Sequence, residues 1–262
     1  MRNVDSDALE DTPREVVAIG NEYPPAFELA RHTHRRSQLL YAAEGVLTVD
    51  TDHGSWVVPP ERAVWIPGGV SHAVKMVGAV STRSVLIAPD VPPRRTDQCE
   101  VLGVSQLLRS LLVASVDLPP EYDLSGRDGL IMALLVAEAA IAPVIPLAVP
   151  FPQNPVLARQ CHAFLDHPDA QATINAWSAE LGLSRRAFTR TFRRETGISF
   201  ANWRQQACLL AAMPRLAAGE SVTVIALDLG YESPAAFSTM FSRLLGIPPS
   251  RYRSAYSFPA RA

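Results

Sequence analysis

Two sets of side chains in this sequence have the types and spacings that do chemistry. The first is basic: Arg185, Arg186, Arg190, Arg193 and Arg194 fall within ten residues, interleaved with Phe188 and Phe192. A planar guanidinium donates two hydrogen bonds at once to phosphate or to guanine O6 and N7, so such a run suits nucleic acid. The second is a histidine pair, His32 and His34. On a strand, a spacing of two puts His32 and His34 on one side, which is what shared ligation of a metal requires. Cys99, Cys161 and Cys208 are odd in number and share no ligand spacing, so neither a disulfide framework nor a zinc finger is expected.

The arginine run needs a scaffold, and the sequence supplies one twice. Leu181-Gly-Leu-Ser184, Phe188-xxx-Phe192 and Gly197-Ile198 reappear about 48 residues later as Leu229-Gly-Tyr-Glu-Ser233, Phe237-xxx-Phe241 and Gly246-Ile247, with one residue inserted in the turn. A repeat of that length marks duplicated supersecondary units. Each copy reads as an apolar helix, a turn at Gly, a capping Ser and a second helix whose two Phe residues share a face. In the first copy Ile174, Trp177 and Leu181 form the inward stripe. Gly197 and Gly246 stand where second helices end. Two helix-turn-helix units are therefore predicted, with the arginines of the first lying opposite Phe188 and Phe192. A merely solvated basic face is the bland alternative.

Residues 158–254 resemble the DNA-binding domain of the AraC/XylS family. The resemblance rests on Phe188-Thr-Arg-Thr-Phe-Arg-Arg-Glu-Thr-Gly197, on Gly219-xx-Val222-xx-Ile225-Ala226-xx-Leu229-Gly230-Tyr231-x-Ser233-xxx-Phe237-xxx-Phe241, and on Gly246-x-Pro248-Pro249-xx-Tyr252-Arg253. It implies base contacts from Arg186, Thr189 and Arg190, with Arg185 and Arg193 nearer the phosphates. In the second unit it implies Ser233, Ser238 and Thr239. There Pro234, Ala235, Ser238 and Thr239 replace the longer donors of relatives, so the first unit should dominate specificity. Cys208 stands where the pattern usually has Arg, and Pro214 is expected to kink the central helix or end it early.

Between Phe27 and Pro89, short apolar and β-branched runs are broken by Gly and Pro: 38–41, 46–49, 55–58, 63–66, 73–77 and 82–87. That pattern predicts an all-β barrel or sandwich. His32-Thr-His34 with Gln38 and Gly45, then Pro67-x-Gly69-xx-His72, resembles the two motifs of the cupin barrel. The resemblance implies one divalent transition metal on His32, His34, Gln38 and His72, with Gln where Glu is usual. Otherwise the histidines line a cavity for a small organic ligand. Tyr41, Trp56, Trp65 and Met76 are wall candidates, though for each alone a place in the core is the better expectation. His53, His162 and His167 have no partner pattern.

Helical spacing follows at 102–116 and 129–141, with Leu107, Leu108, Leu111 and Leu112 on one face and Ile131, Leu134, Leu135 and Glu138 along the other segment. The leucine face is a dimer seam or a cover for the barrel. Residues 143–155 hold five prolines and read as a semi-rigid linker. The expected architecture is α+β: a cupin-like barrel with a helical pair (1–142), the linker (143–155) and an all-α domain with two helix-turn-helix motifs (156–262), ending in the breaker 257–262. Charge follows that division. Residues 151–262 carry twelve Arg and seven acids, net +5, against net −7 for residues 1–150.

The function expected is a sequence-specific transcription regulator, activator or repressor, controlled by a small ligand or metal in the barrel. Its expected partners are a double-stranded DNA operator, a small-molecule effector, a second copy in a homodimer and RNA polymerase. The first 25 residues are acidic and lack an apolar core, and no 18-residue apolar run occurs, so a cytoplasmic, nucleoid-associated chain without membrane contact is expected. A metal-dependent cupin enzyme is the rival. It leaves the duplicated unit without a use and has only Glu44 and Glu61 as further acid or base. A non-specific architectural DNA binder leaves the barrel without a use.

Overall fold

The structure, a computed structural model, describes residues 6–91, 93 and 96–256. The expected breaker at 257–262 lies outside the described residues. The chain divides into two units, residues 1–51 with 56–145, and residues 52–55 with 146–262.

The first unit contains strands β1 (Val16–Tyr23), β2 (Glu28–His32), β3 (Ser37–Thr51), most of β4 (Gly54–Val58), β5 (Arg62–Ile66), β6 (His72–Ile87) and β7 (Glu100–Gly103). Helices α1 (Gln106–Ser115) and α2 (Arg127–Ile141) follow, then β8 (Val144–Ile145). The runs expected as separate strands at 38–41 and 46–49 are one strand, as are those at 73–77 and 82–87. Register shifts between Ala42 and Val46 bend β3 without breaking it. The first half of β6 pairs with β2 and its second half with β1, so β6 serves both ends of the sheet. β1 and β2 lie mostly or wholly outside the strands expected from sequence, and residues 102–103, expected as helix, belong to β7.

The period of two decides what each side of this sheet does. Leu39, Tyr41, Ala63, Trp65, Val85 and Ile87 face a layer made by Leu108, Leu111 and Leu112 of α1 and Met132, Leu135 and Ala139 of α2. The alternate residues Ile19, Gln38, Leu40 and Ser84 face a cavity. Tyr41 and Trp65 are therefore core residues, and of the expected wall residues only Met76 lines the cavity. The leucine face of α1 mainly covers the sheet: Leu108, Leu111 and Leu112 are buried and Leu107 is exposed.

The second unit contains β9 (Ala148–Pro150), α3 (Pro155–Asp166), α4 (Ile174–Glu180), α5 (Arg185–Thr196), α6 (Phe200–Ala217), α7 (Val222–Asp228), α8 (Pro234–Leu245) and α9 (Pro249–Tyr256). Residues 143–155 are not a free spacer. Val149 and Phe151 are buried, and the Trp203 indole N–H donates to the Pro150 carbonyl at 2.8 Å. Pro214 does not end α6 early, because the helix runs on through Ala217. Leu216 and Ala217 are fully buried there, and the Arg215 guanidinium bonds Glu220 and Asp228, so packing offsets the backbone bond that Pro214 cannot donate.

Candidate DNA interface and ligand cavity

The first helix-turn-helix is α4 and α5. Thr173 caps α4, and Ser184 caps α5 by accepting from the Ala187 N–H at 3.2 Å. Between them Gly182 sits at φ 63°, a left-handed conformation that glycine adopts without steric cost. The second copy, α7 and α8, repeats the device with Gly230 at φ 75° and Ser233 accepting from the Ala236 N–H at 3.2 Å. The inserted residue falls between that Gly and that Ser.

One face of α5 is driven inward. Phe188 and Phe192 are buried in a cluster with Trp177, Phe200, Trp203 and Phe164. Fixing that face fixes the other: Arg185, Arg186, Thr189, Arg190 and Arg193 are all exposed and line one shallow groove beside Ile174. Among the described residues none of these four arginines makes an ion pair, whereas Arg194 pairs with Glu195 at 3.1 Å. The Thr189 hydroxyl donates to the Arg185 carbonyl and keeps its lone pairs outward.

The second unit presents less. The Ser233 oxygen is engaged in capping, Ser238 is half-buried, and the Thr239 hydroxyl donates to the Ala235 carbonyl. Sequence reasoning passed over Arg243, which is exposed on α8 and donates to Gln205 at 2.6 Å. Cys208 is fully buried in α6, where burial pushes its thiol up to about 12, so it stands inside the domain core.

The histidines do converge, by a route other than strand alternation. β2 ends at His32, and His34 lies in the following turn. His32 is paired with His72 across β2 and β6. The turn is held by Arg36, whose buried guanidinium donates to the main-chain carbonyls of Glu10, Thr12, Arg14 and Glu15. At Gly68 the chain passes so close that a Cβ would lie 2.2 Å from the Arg35 carbonyl oxygen, and the neighbouring Gly69 N–H donates to the His34 carbonyl at 2.9 Å. The Pro-x-Gly spacing flagged this region; the role of Arg36 had no signal in the sequence.

One donor nitrogen from each of His32, His34 and His72 lies within 4.8 Å of the others. In every ring Nδ1 faces a main-chain carbonyl: His32 to Ala30 at 2.9 Å, His34 to Arg36 at 2.5 Å and His72 to Val70 at 2.9 Å. In the neutral rings these bonds place the proton on Nδ1 and leave Nε2 as a lone pair, the arrangement by which proteins orient metal-ligating imidazoles. Nε2 of His72 is buried without a hydrogen-bond partner, and burial lowers that ring to about 4, which keeps it neutral. Gln38 donates through Nε2 to the Ser84 hydroxyl and turns Oε1 toward His34 Nε2 at 3.2 Å, setting one acceptor against another. A cation between them satisfies both. With the amide turned over, Gln38 would donate to His34 instead, and His72 would still lack a partner. Three imidazoles and an amide oxygen suit a first-row divalent ion at about 2.0–2.2 Å, which needs a small closing of the rings.

This donor set borders a cavity of about 430 Å³. Its walls are Ile19, Leu29, Leu40, Val74 and Met76, with Tyr23 and Phe27 stacked at 5.3 Å. Tyr23, Phe27, Ile19 and Leu29 went unrecognised because strands β1 and β2 were not foreseen.

Comparison with known proteins gives these surfaces a context. Residues 16–135 match the family described as AraC-like ligand binding domain, and residues 177–255 match a helix-turn-helix domain family. The HTH-type transcriptional regulator NimR of Escherichia coli strain K12 is 32% identical over 221 residues, covering 84% of this chain and 81% of that protein. The regulatory protein SoxS of the same strain is 34% identical over 89 residues, 34% of this chain and 83% of its own. Among solved structures, ToxT from Vibrio cholerae aligns over 94% of this chain and all of its own at 10% identity, with a TM-score of 0.40.

Proposed function

Because the chain belongs to the AraC family of transcriptional regulators, with a helix-turn-helix DNA-binding domain and a ligand-binding domain, we propose that it is a sequence-specific regulator controlled from the N-terminal cavity. The observation that carries the DNA-binding part is the exposed face of α5. Five neighbouring side chains, four of them arginines without an ion pair among the described residues, are held outward by a helix whose opposite side is locked into an aromatic core. Arg186, Thr189 and Arg190 read base edges in the major groove, and Arg185 and Arg193 meet phosphates. The second unit, through Ser233, Ser238 and Thr239, adds backbone contacts and little base discrimination.

Control requires an effector that binds two arrangements of the protein unequally. We place it in the cavity beside a divalent metal held by His32, His34, His72 and Gln38. The orphaned Nε2 of His72 and the facing acceptors of His34 and Gln38 support the metal. Bound there, the ion supplies a positive coordination centre for the effector. We further propose that the regulator acts as a homodimer through the exposed apolar stripe Leu130, Leu134 and Ile141 of α2 with Leu107 of α1, and that its operator lies where RNA polymerase is helped or blocked. It works in the cytoplasm on the nucleoid. No helix among the described residues is long and apolar enough to cross a membrane.

Selection of bound sequences from a random DNA pool with the full chain tests this function. A single enriched motif is the expected result, and binding without enrichment rejects sequence-specific regulation.

A further inference from the structure

The electrostatics of the cavity identify the class of molecule it takes. All four donors around the metal site are uncharged, three imidazoles and one carboxamide, so a divalent ion there keeps its full charge. His32, His72 and Gln38 line the cavity while His34 does not, so an ion held by these residues would be reached from the cavity. No Lys or Arg is among the described lining residues, so a divalent ion held there would be the one strong positive centre on this lining. Glu22 lines the cavity too, but across β1 and β6 it is paired with Ser81, away from Gln38, and it already accepts from Ser81 at 2.7 Å and from Arg83 at 3.3 Å.

Register supplies the length. His72, Val74 and Met76 follow one another on the cavity side of β6, and the Met76 N–H donates to the Phe27 carbonyl at 2.9 Å. The path from the metal to the Tyr23–Phe27 stack therefore spans about 13 Å of strand. Leu29, Leu40, Val74 and Met76 give that path an apolar side, while Ser6, Asn21 and Ser84 also line the cavity.

Resting on the metal reading above, we infer that the effector is a small organic anion: a carboxylate that ligates the metal, joined to an apolar body that ends in a ring against Tyr23 and Phe27. The anionic head is drawn to the metal, which fixes the ligand's direction. The ring adds face or edge contacts to an existing aromatic pair.

The test uses the full chain loaded with Co2+, whose visible absorption reports its ligands, with 3-phenylpropanoate, 3-phenylpropanamide and propanoate as probes. We expect 3-phenylpropanoate to change the cobalt spectrum and to bind at least tenfold more tightly than to chelator-stripped protein. The amide should bind at least tenfold more weakly and leave the spectrum unchanged. Phe27→Ala should weaken 3-phenylpropanoate far more than propanoate, with cobalt content as the control. Retained cobalt whose spectrum no acid alters, or equal affinity for acid and amide, overturns the effector class while leaving the metal site standing. Failure to retain cobalt at all overturns the metal reading, and this one falls with it.

Discussion

Nε2 of His34 and Oε1 of Gln38 face each other at 3.2 Å while Nδ1 of the same ring faces the Arg36 carbonyl, so in the neutral ring with its proton on Nδ1 the facing atoms are two acceptors. A cation resolves that arrangement, and it would be held more strongly by a carboxylate at position 38. Gln38→Glu should therefore tighten divalent-metal binding by about tenfold or more, roughly 1.4 kcal/mol, by placing a charged oxygen where a neutral one stands. His72→Ala should abolish stoichiometric uptake. Competition against a chromophoric chelator measures both, and an unchanged affinity in Gln38→Glu would remove position 38 from the ligand set.

On α5 the two expected roles separate experimentally. Arg186→Ala or Arg190→Ala should cost about 1–3 kcal/mol on the preferred sequence and relax selectivity at one position. Arg193→Ala should weaken all sequences alike and reduce the slope of log K against log salt by about 1. Equal losses on preferred and random DNA for Arg190→Ala would exclude it from base reading.

The Phe192 ring is wholly buried between Trp177, Phe188, Phe200 and Trp203. Phe192→Ala should destabilise this unit by about 3–5 kcal/mol, through lost burial and the cavity left behind. Its thermal transition should fall by many degrees, while that of the N-terminal unit moves little. An unshifted transition would mean that the aromatic cluster is not what orients α5.

All three thiols are buried, and burial raises each of them, Cys99 and Cys208 to about 12. In the unfolded chain they ionise near 8.5. The folded state thus holds its thiol protons longer. That contribution is complete below the unfolded value and is lost as pH rises from about 9 toward 12, at up to roughly 1.4 kcal/mol per pH unit per thiol. Urea midpoints should fall across that range, and Cys99→Ala should flatten the fall. Native protein at pH 8 should resist iodoacetamide until unfolded, and rapid labelling of native protein would contradict the burial.

The helical unit was legible because its determinants are local. Gly182, Ser184 and the Phe188–Phe192 spacing specify a turn, a cap and an inward face within a dozen residues, and the second copy repeats them. The histidine site was legible by residue type only. His34 is positioned by Arg36, whose partners lie more than 20 residues earlier at Glu10–Glu15, and by the close approach at Gly68. The choice between cavity wall and core was open in the sequence for a related reason. Tyr41 and Leu40 are both large residues that a core accepts, and only the pairing of β3 with β5 and β6 and the helices on the outer face decide which of them turns inward. Pro214 taught the converse, since buried neighbours carry α6 past a residue that local preference would have made its end.

The central claim is that α5 reads DNA sequence. The most direct measurement compares wild-type protein and Arg190→Ala on the sequence enriched from a random pool and on scrambled DNA, across a range of salt. The account predicts that wild type prefers the enriched sequence by about 10³-fold or more, and that Arg190→Ala loses affinity on that sequence selectively. Equal affinity of the wild type for both DNAs at every salt concentration would contradict it.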